Sequence, residues 1–217
     1  VSRFVELSHT IEHGTLTYPG LPAPEISDFL GREESRRRYA PGTEFQIGRI
    51  TMVGNTGTYL DSPFHRYAGG ADLAELPLSS LADLPAIVLR AAGSARAIGA
   101  DAFETLDVAG RAVLVHTGFD RHWGTPAYFE RNPHLTAGAA AWLAESGAAL
   151  VGIDSVNVDS IDGGERPAHS ALLARGIPVV EHLTGLAALP DSGFRFFAVP
   201  PKVRGFGTFP VRAFAIL

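Results

Sequence analysis

The sequence predicts an α/β fold with a mixed sheet, and three observations carry that prediction. Short apolar runs bounded by turn residues recur along the chain and outnumber the segments with helical boundaries. Strict strand–helix–strand alternation is missing, and no G-x-G-x-x-G turn follows a strand, which argues against a doubly wound dinucleotide-binding architecture. At 217 residues the chain is long enough for a sizeable core, and no Ser/Gly linker, repeat or low-complexity stretch divides it, so one domain over 1–217 is expected.

The elements follow in order. The charged stretch 32–38 (REESRRR) reads as a solvated loop or short helix, with an anion or partner site as the sharper alternative. Residues 45–53 (FQIGRITMV) are rich in β-branched side chains and predict a strand. Residues 86–90 (AIVLR), 112–116 (AVLVH), 150–153 (LVGI) and 177–180 (IPVV) are continuous apolar runs of the kind that form buried strands. A short helix is expected at 100–106. A longer one at 136–146 has a Thr N-cap, alanine-rich filling and a closing Gly147. Another at 167–175 has Pro at its first position and Gly176 just past its end. The tail adds strands at 194–199 and 211–216.

Composition excludes several function classes. A formal charge of −5 lacks the basic excess of a nucleic-acid binder. No apolar run approaches the roughly 18 residues of a membrane span. The opening VSRFVELSHT lacks a basic-then-apolar leader layout, so the cytoplasm is the expected compartment, and the initial Val predicts that residues precede it. With no cysteine, disulfides, thiol nucleophiles and Cys-ligated zinc are ruled out, and any metal must use His, Asp and Glu.

Two stretches carry chemistry. The first is 55–65, NTGTYLDSPFH, directly after the predicted strand. Ser62-Pro63 reads as an N-cap and first-turn pair, which puts Asp61 at a strand-to-helix junction and His65 in the first helical turn. Taken alone, an Asp cap with a surface His accounts for the same residues. In the second, PAHSALLARGIPVVEHL, His169 lies in the first turn of a helix and Glu181 at the end of an apolar strand. A carboxylate there is costly unless paired or metal-bound. Asp61, His169 and Glu181 are ligands of the kind zinc or manganese accepts, although a helix-surface His and an edge-strand Glu are the plainer account of the last two. His182 is expected on the opposite face, as a surface group or one behind the ligands.

These residues resemble a known family. The pattern His-x-Gly-Thr-His-x-Asp-x-Pro-x-His belongs to the cyclase family, which includes kynurenine formamidase and isatin hydrolase, and the chain is similar to it over nearly its full length. Tyr18-Pro19-Gly20, Thr117-Gly118-Phe119-Asp120, Gly152-Ile153-Asp154-Ser155, Pro167-Ala168-His169 with Glu181, and Pro210-Val211-Arg212-Ala213 resemble its further motifs in order. The resemblance implies a swivelling β/β/α fold and a metal-dependent hydrolase of amides or cyclic amides, using zinc or manganese and forming homodimers or homotetramers. It implies Asp61, His169 and Glu181 as metal ligands, His65 as general acid/base and Tyr18 as a wall of the substrate pocket.

The chain departs from the pattern where its first two histidines would stand, at Asn55 and Tyr59. Neither is a good ligand for zinc or manganese, so at most one metal per chain is expected. In that reading Asn55 and Tyr59 donate hydrogen bonds to a developing oxyanion. Two alternatives remain at this stage. One is a metal-free cyclase, isomerase or lyase using the same acid and base groups, and the other a non-catalytic small-molecule binding homologue. No role is assigned to His9 or His13. His116 reads as a strand-end group, and His122 and His134 as surface or cap groups. One of Asp154 and Asp159 is expected to cap a helix or orient His169.

Overall fold

The computed structural model describes residues 2–217. Its strands are β1 (Phe4–Glu6), β2 (Glu25–Leu30), β3 (Ile47–Thr51), β4 (Tyr59–Asp61), β5 (Leu84–Arg90), β6 (Ala97–Ile98), β7 (Ala112–His116), β8 (His134–Leu135), β9 (Leu150–Ile153), β10 (Val179–Glu181), β11 (Ser192–Phe197), β12 (Thr208–Pro210) and β13 (Phe214–Ile216). The helices are α1 (Arg32–Arg36), α2 (Ala137–Glu145) and α3 (Pro167–Ala174). Nine strands form one sheet in the order β1-β13-β11-β5-β7-β9-β10-β4-β12. The neighbours from β5 to β10 run parallel, and both flanks are antiparallel, which is the mixed sheet expected.

The parallel strands are apolar up to their last residues, where β5, β7 and β10 end in Arg90, His116 and Glu181, because both faces are covered. Val113, Val115, Val151, Ile153 and Val179 face α2 and α3, where Ala140, Leu143 and Leu172 meet them. Leu60, Leu114, Leu150 and Val180 face the other way, against Phe194 and Phe196. Each such side chain contributes roughly 1.5–3 kcal/mol by leaving water. Thr136 caps α2 by accepting from Ala139 N, and Gly147 ends it with φ +78°. The N-terminus of α3 is capped from a distance: Asp159 accepts from Ala168 N at 2.6 Å and His169 N at 3.1 Å.

Several sequence expectations are corrected. The strand foreseen at 45–53 is the shorter β3, which pairs only with β2 in a separate two-stranded arm whose residues are almost all exposed. Its β-branched pattern is real, but it serves no central core. The helix at 100–106 is a single 3₁₀ turn, Ala100–Ala102. The strand at 177–180 starts later and includes Glu181, and the tail strands shift to β11 and β13 with β12 between them. The helix expected from Pro63 is one 3₁₀ turn, Pro63–His65. Ser62 does not cap it, and its hydroxyl is buried without a partner.

Candidate active site

Strand register assembles the site. In the antiparallel trio β10-β4-β12, Glu181 pairs with Tyr59, while Thr208 pairs with Asp61. Side chains alternate along a strand, so Tyr59, Asp61, Glu181 and Thr208 share the face opposite Leu60. That is the face covered by α3, from which His169 reaches down. His65 comes from the 3₁₀ turn just after β4. Tyr59, His65, His169 and Glu181 meet at a cavity of about 380 Å³, also lined by Tyr18, Asn55, Arg66, Asn157 and Arg166, while Asp61 and Thr208 are buried outside its lining.

His169 is the hub. Its Nδ1 lies 2.7 Å from Asp159 Oδ2, and its Nε2 lies 3.5 Å from both Asp61 Oδ2 and Glu181 Oε1. Asp159 is thus the acid that orients His169, whereas Asp154 accepts from Thr117 N and Gly118 N and organises that turn instead. Burial alone would lower the His169 pKa, but Glu181 and the two aspartates outweigh it and hold it at about 10. Burial, reinforced by Asp61, pushes Glu181 up to about 7. Burial pushes Asp61 the same way, yet the neighbouring imidazoles and Thr208 leave it below the usual carboxylate value. Three carboxylates around one imidazole make a strongly cation-seeking centre.

The donor set fits a divalent cation. Asp61 Oδ2 is buried and has no hydrogen-bond partner. The edge of a tetrahedral site with bonds near 2.0–2.2 Å is about 3.4 Å, close to the 3.5 Å separations around His169 Nε2. A carboxylate behind the ligating histidine is the usual arrangement for fixing its tautomer. One donor atom each from Asp61, His65 and His169 lie within 4.8 Å of one another, a grouping that leaves out Glu181. Glu181 is already engaged: Oε1 accepts from Val158 N at 2.6 Å, and Oε2 accepts from Tyr59 Oη at 2.7 Å and Asn157 Nδ2 at 3.3 Å.

Tyr59 therefore does something other than foreseen. Burial, with the charges of Glu181 and Asp61, raises its pKa well above 10, so it stays neutral, and its one proton goes to Glu181. It is not free to donate to an oxyanion in this arrangement. Asn55 lines the same cavity beside Tyr59.

A second chain of hydrogen bonds was not legible in the sequence. The Thr208 hydroxyl donates to Asp61 Oδ1 and lies 2.8 Å from His65 Nδ1. A hydroxyl has one proton. With that proton on Asp61, His65 must donate from Nδ1, which leaves the lone pair on Nε2. Close backbone packing holds the chain together: a Cβ on Gly207 would lie 2.5 Å from His65 N, and one on Gly54 2.3 Å from Thr208 O. His65 is half-open to the cavity, with 36% of its side chain exposed.

His182 is not a surface group. It is fully buried with φ +56°, because the chain leaves β10 immediately after Glu181. Burial and the nearby His9 lower its pKa to about 3, and Tyr128 Oη lies 2.9 Å from its Nδ1. His9 stacks on Trp123 at 4.0 Å and packs beside this cluster. Arg66 and Arg166 line the cavity too, and the sequence reading singled out neither.

Comparison with known proteins agrees with this architecture. A family model described as putative cyclase matches residues 5–160. Kynurenine formamidase of Bacillus cereus is 28% identical over 213 residues, covering 98% of this chain and 96% of its own length. That of Geobacillus thermodenitrificans is 30% identical, covering 97% and 95%. The fold is shared with an isatin hydrolase bound to the product analogue thioisatinate, with TM-score 0.85 and 21% identity over 100% of this chain and 92% of that one. It is shared equally with a potential metal-dependent hydrolase with cyclase activity, with TM-score 0.82 and 24% identity over 100% and 98%. The order of the motif residues, their convergence on one sheet face and the match over most of the chain give one conclusion: the chain belongs to the putative cyclase family.

Proposed function

We propose that the chain is a hydrolase that opens an amide, a cyclic amide or an ester of a small molecule, with one divalent metal per chain. The observation that carries this reading is the placement of His169 Nε2 at 3.5 Å from both Asp61 Oδ2 and Glu181 Oε1, with Asp159 behind it. The kynurenine formamidases and isatin hydrolases among its relatives support the same chemistry. Asp61, His169 and Glu181 would hold the metal, and imidazole with carboxylates suits zinc or manganese. When bound, such an ion polarises a carbonyl and lowers the pKa of a coordinated water toward about 7.

The chain's own residues do the rest. His65 Nε2 takes a proton from the attacking water and returns it to the leaving nitrogen or oxygen. Thr208 fixes the tautomer that makes this possible. Tyr59 and Asn157 hold the Glu181 carboxylate so that Oε1 faces His169. Asn55 is the amide donor left for the oxyanion, and Tyr18 supplies the flat wall. Without metal, His169 holds a proton to about pH 10 and Glu181 to about 7, so metal uptake releases protons and weakens as pH falls.

The test is turnover of formanilide by the metal-loaded chain, with a chelator control. The parent should hydrolyse it, chelator should stop it, and His65→Ala should lower kcat roughly 10²–10⁴-fold with metal content kept. Chelator-resistant turnover, or equal turnover in His65→Ala, contradicts the reading.

A further inference from the structure

Arg66 directly follows His65, and both line the cavity. Its guanidinium is held by two contacts. Nε donates to Ser170 Oγ at 3.3 Å, and the guanidinium carbon lies 5.3 Å from the centre of the Tyr67 ring. Ser170 is fixed in turn, because its hydroxyl donates to Arg166 O at 2.7 Å. Among the described residues no carboxylate forms an ion pair with Arg66, and its two terminal nitrogens make no hydrogen bond.

Arg166, on the same wall, is committed elsewhere. Its Nη1 donates to Gly163 O and Glu165 O, each at 2.8 Å, and its Nη2 to Tyr18 Oη at 3.3 Å. It braces the Tyr18 wall and adds positive charge beside the cavity without offering a free fork.

The cavity therefore has three chemically distinct parts. Its floor is the carboxylate-rich centre around His169, one wall is formed by Tyr18, Pro19 and Leu21, and a free guanidinium fork stands at the rim. A planar fork with paired donors matches a carboxylate in a bidentate pair, whereas a neutral amide or ring gives it nothing equivalent. Arg66 adjoins His65 in sequence, and its anchor Ser170 adjoins His169. Arg66, His65 and His169 line one cavity of about 380 Å³, so an anion on this fork shares a small space with the group that His65 serves.

We propose that Arg66 anchors a carboxylate carried by the substrate next to its scissile bond. The substrate class is then small, flat amides or cyclic amides bearing a neighbouring acid group. The scissile amide rests on the hydrolase reading; the anion rests on Arg66 alone.

Two measurements test this, and they fail separately. Benzoate is titrated calorimetrically into the metal-loaded parent, Arg66→Gln and Arg66→Lys, with circular dichroism confirming that each variant is folded. Arg66→Gln should raise the Kd about tenfold or more, with Arg66→Lys between, because charge survives there but the fork does not. Equal Kd values in parent and Arg66→Gln overturn the proposal. Next, kcat/KM is compared for formanilide and its 2-carboxylate. The parent should favour the carboxylate, and Arg66→Gln should reduce that preference about 10- to 100-fold; an unchanged preference overturns the proposal. Benzoate binding that depends on Arg66, with hydrolysis of neither amide, sustains the anion site and contradicts the hydrolase reading instead.

Discussion

At Thr208 a single hydroxyl decides which nitrogen of His65 faces the cavity with a lone pair. Its one proton goes to Asp61, so it can only accept from His65 Nδ1. Thr208→Val keeps the shape and removes the hydroxyl, freeing His65 to take the wrong tautomer or turn. We expect kcat to fall roughly tenfold or more with KM little changed, and Thr208→Ser to restore most of it. A Thr208→Val variant with parental kcat, or one that Ser fails to rescue, contradicts this account. Asp61, His65, His169 and Glu181 were singled out through the ordered motifs of the family resemblance, and the structure brings them together, whereas their residue types taken alone also fit a cap, a surface His and an edge-strand Glu. Thr208 was not: its contact with His65 spans 143 positions, and a Thr among glycines near the end of the chain carries no mark of that partner. Which of Asp154 and Asp159 faces His169 was hidden for another reason: that contact spans only 10 positions but turns on the path of an irregular loop, which has no period to read. Tyr59 was seen as a departure, but its bond to Glu181 depends on a strand register that spacing does not reveal.

Among the elements, β3 was half legible and its partner β2 was not foreseen. The alternating, β-branched sequence of β3 announces a strand but not its partner, and the same pattern fits a core strand or a projecting ribbon. Conversely β4 is three residues long, too short to show a period, and yet it holds the site. The arm leaves Phe29 60%, Phe45 52% and Ile50 47% exposed. A two-stranded ribbon is marginal alone in water. We propose that a second copy of the chain covers it, in keeping with the homodimer or homotetramer that the resemblance implies. The connection matters for the site, because Tyr18 to Leu21 lead into β2 and Asn55 follows β3. Light scattering should give a dimer or tetramer, and Phe29→Lys with Ile50→Lys should shift it toward monomer. A parent that is monomeric at micromolar concentration contradicts the proposal.

At the scale of the molecule, the parallel centre was readable from four apolar runs because burial on both faces removes polar residues from the sequence. The antiparallel flanks were less so, since their pairing is set by returns of the chain from far away. Within the described residues no helix is long and apolar enough to cross a membrane. The net charge of −5 is carried unevenly: Asp61, Asp159 and Glu181 concentrate negative charge inside, against one imidazole, while Arg66 and Arg166 stand at the rim. We propose that such a centre takes up one cation, because Asn55 and Tyr59 stand where ligands for a second would be expected. The most direct measurement is metal per chain by elemental analysis, after loading with zinc or manganese and dialysis at pH 8. One ion per chain is expected in the parent and almost none in folded His169→Ala, whose loss would remove one of the three proposed protein ligands. Two ions per chain in the parent, none, or an unchanged count in His169→Ala would contradict the one-cation proposal.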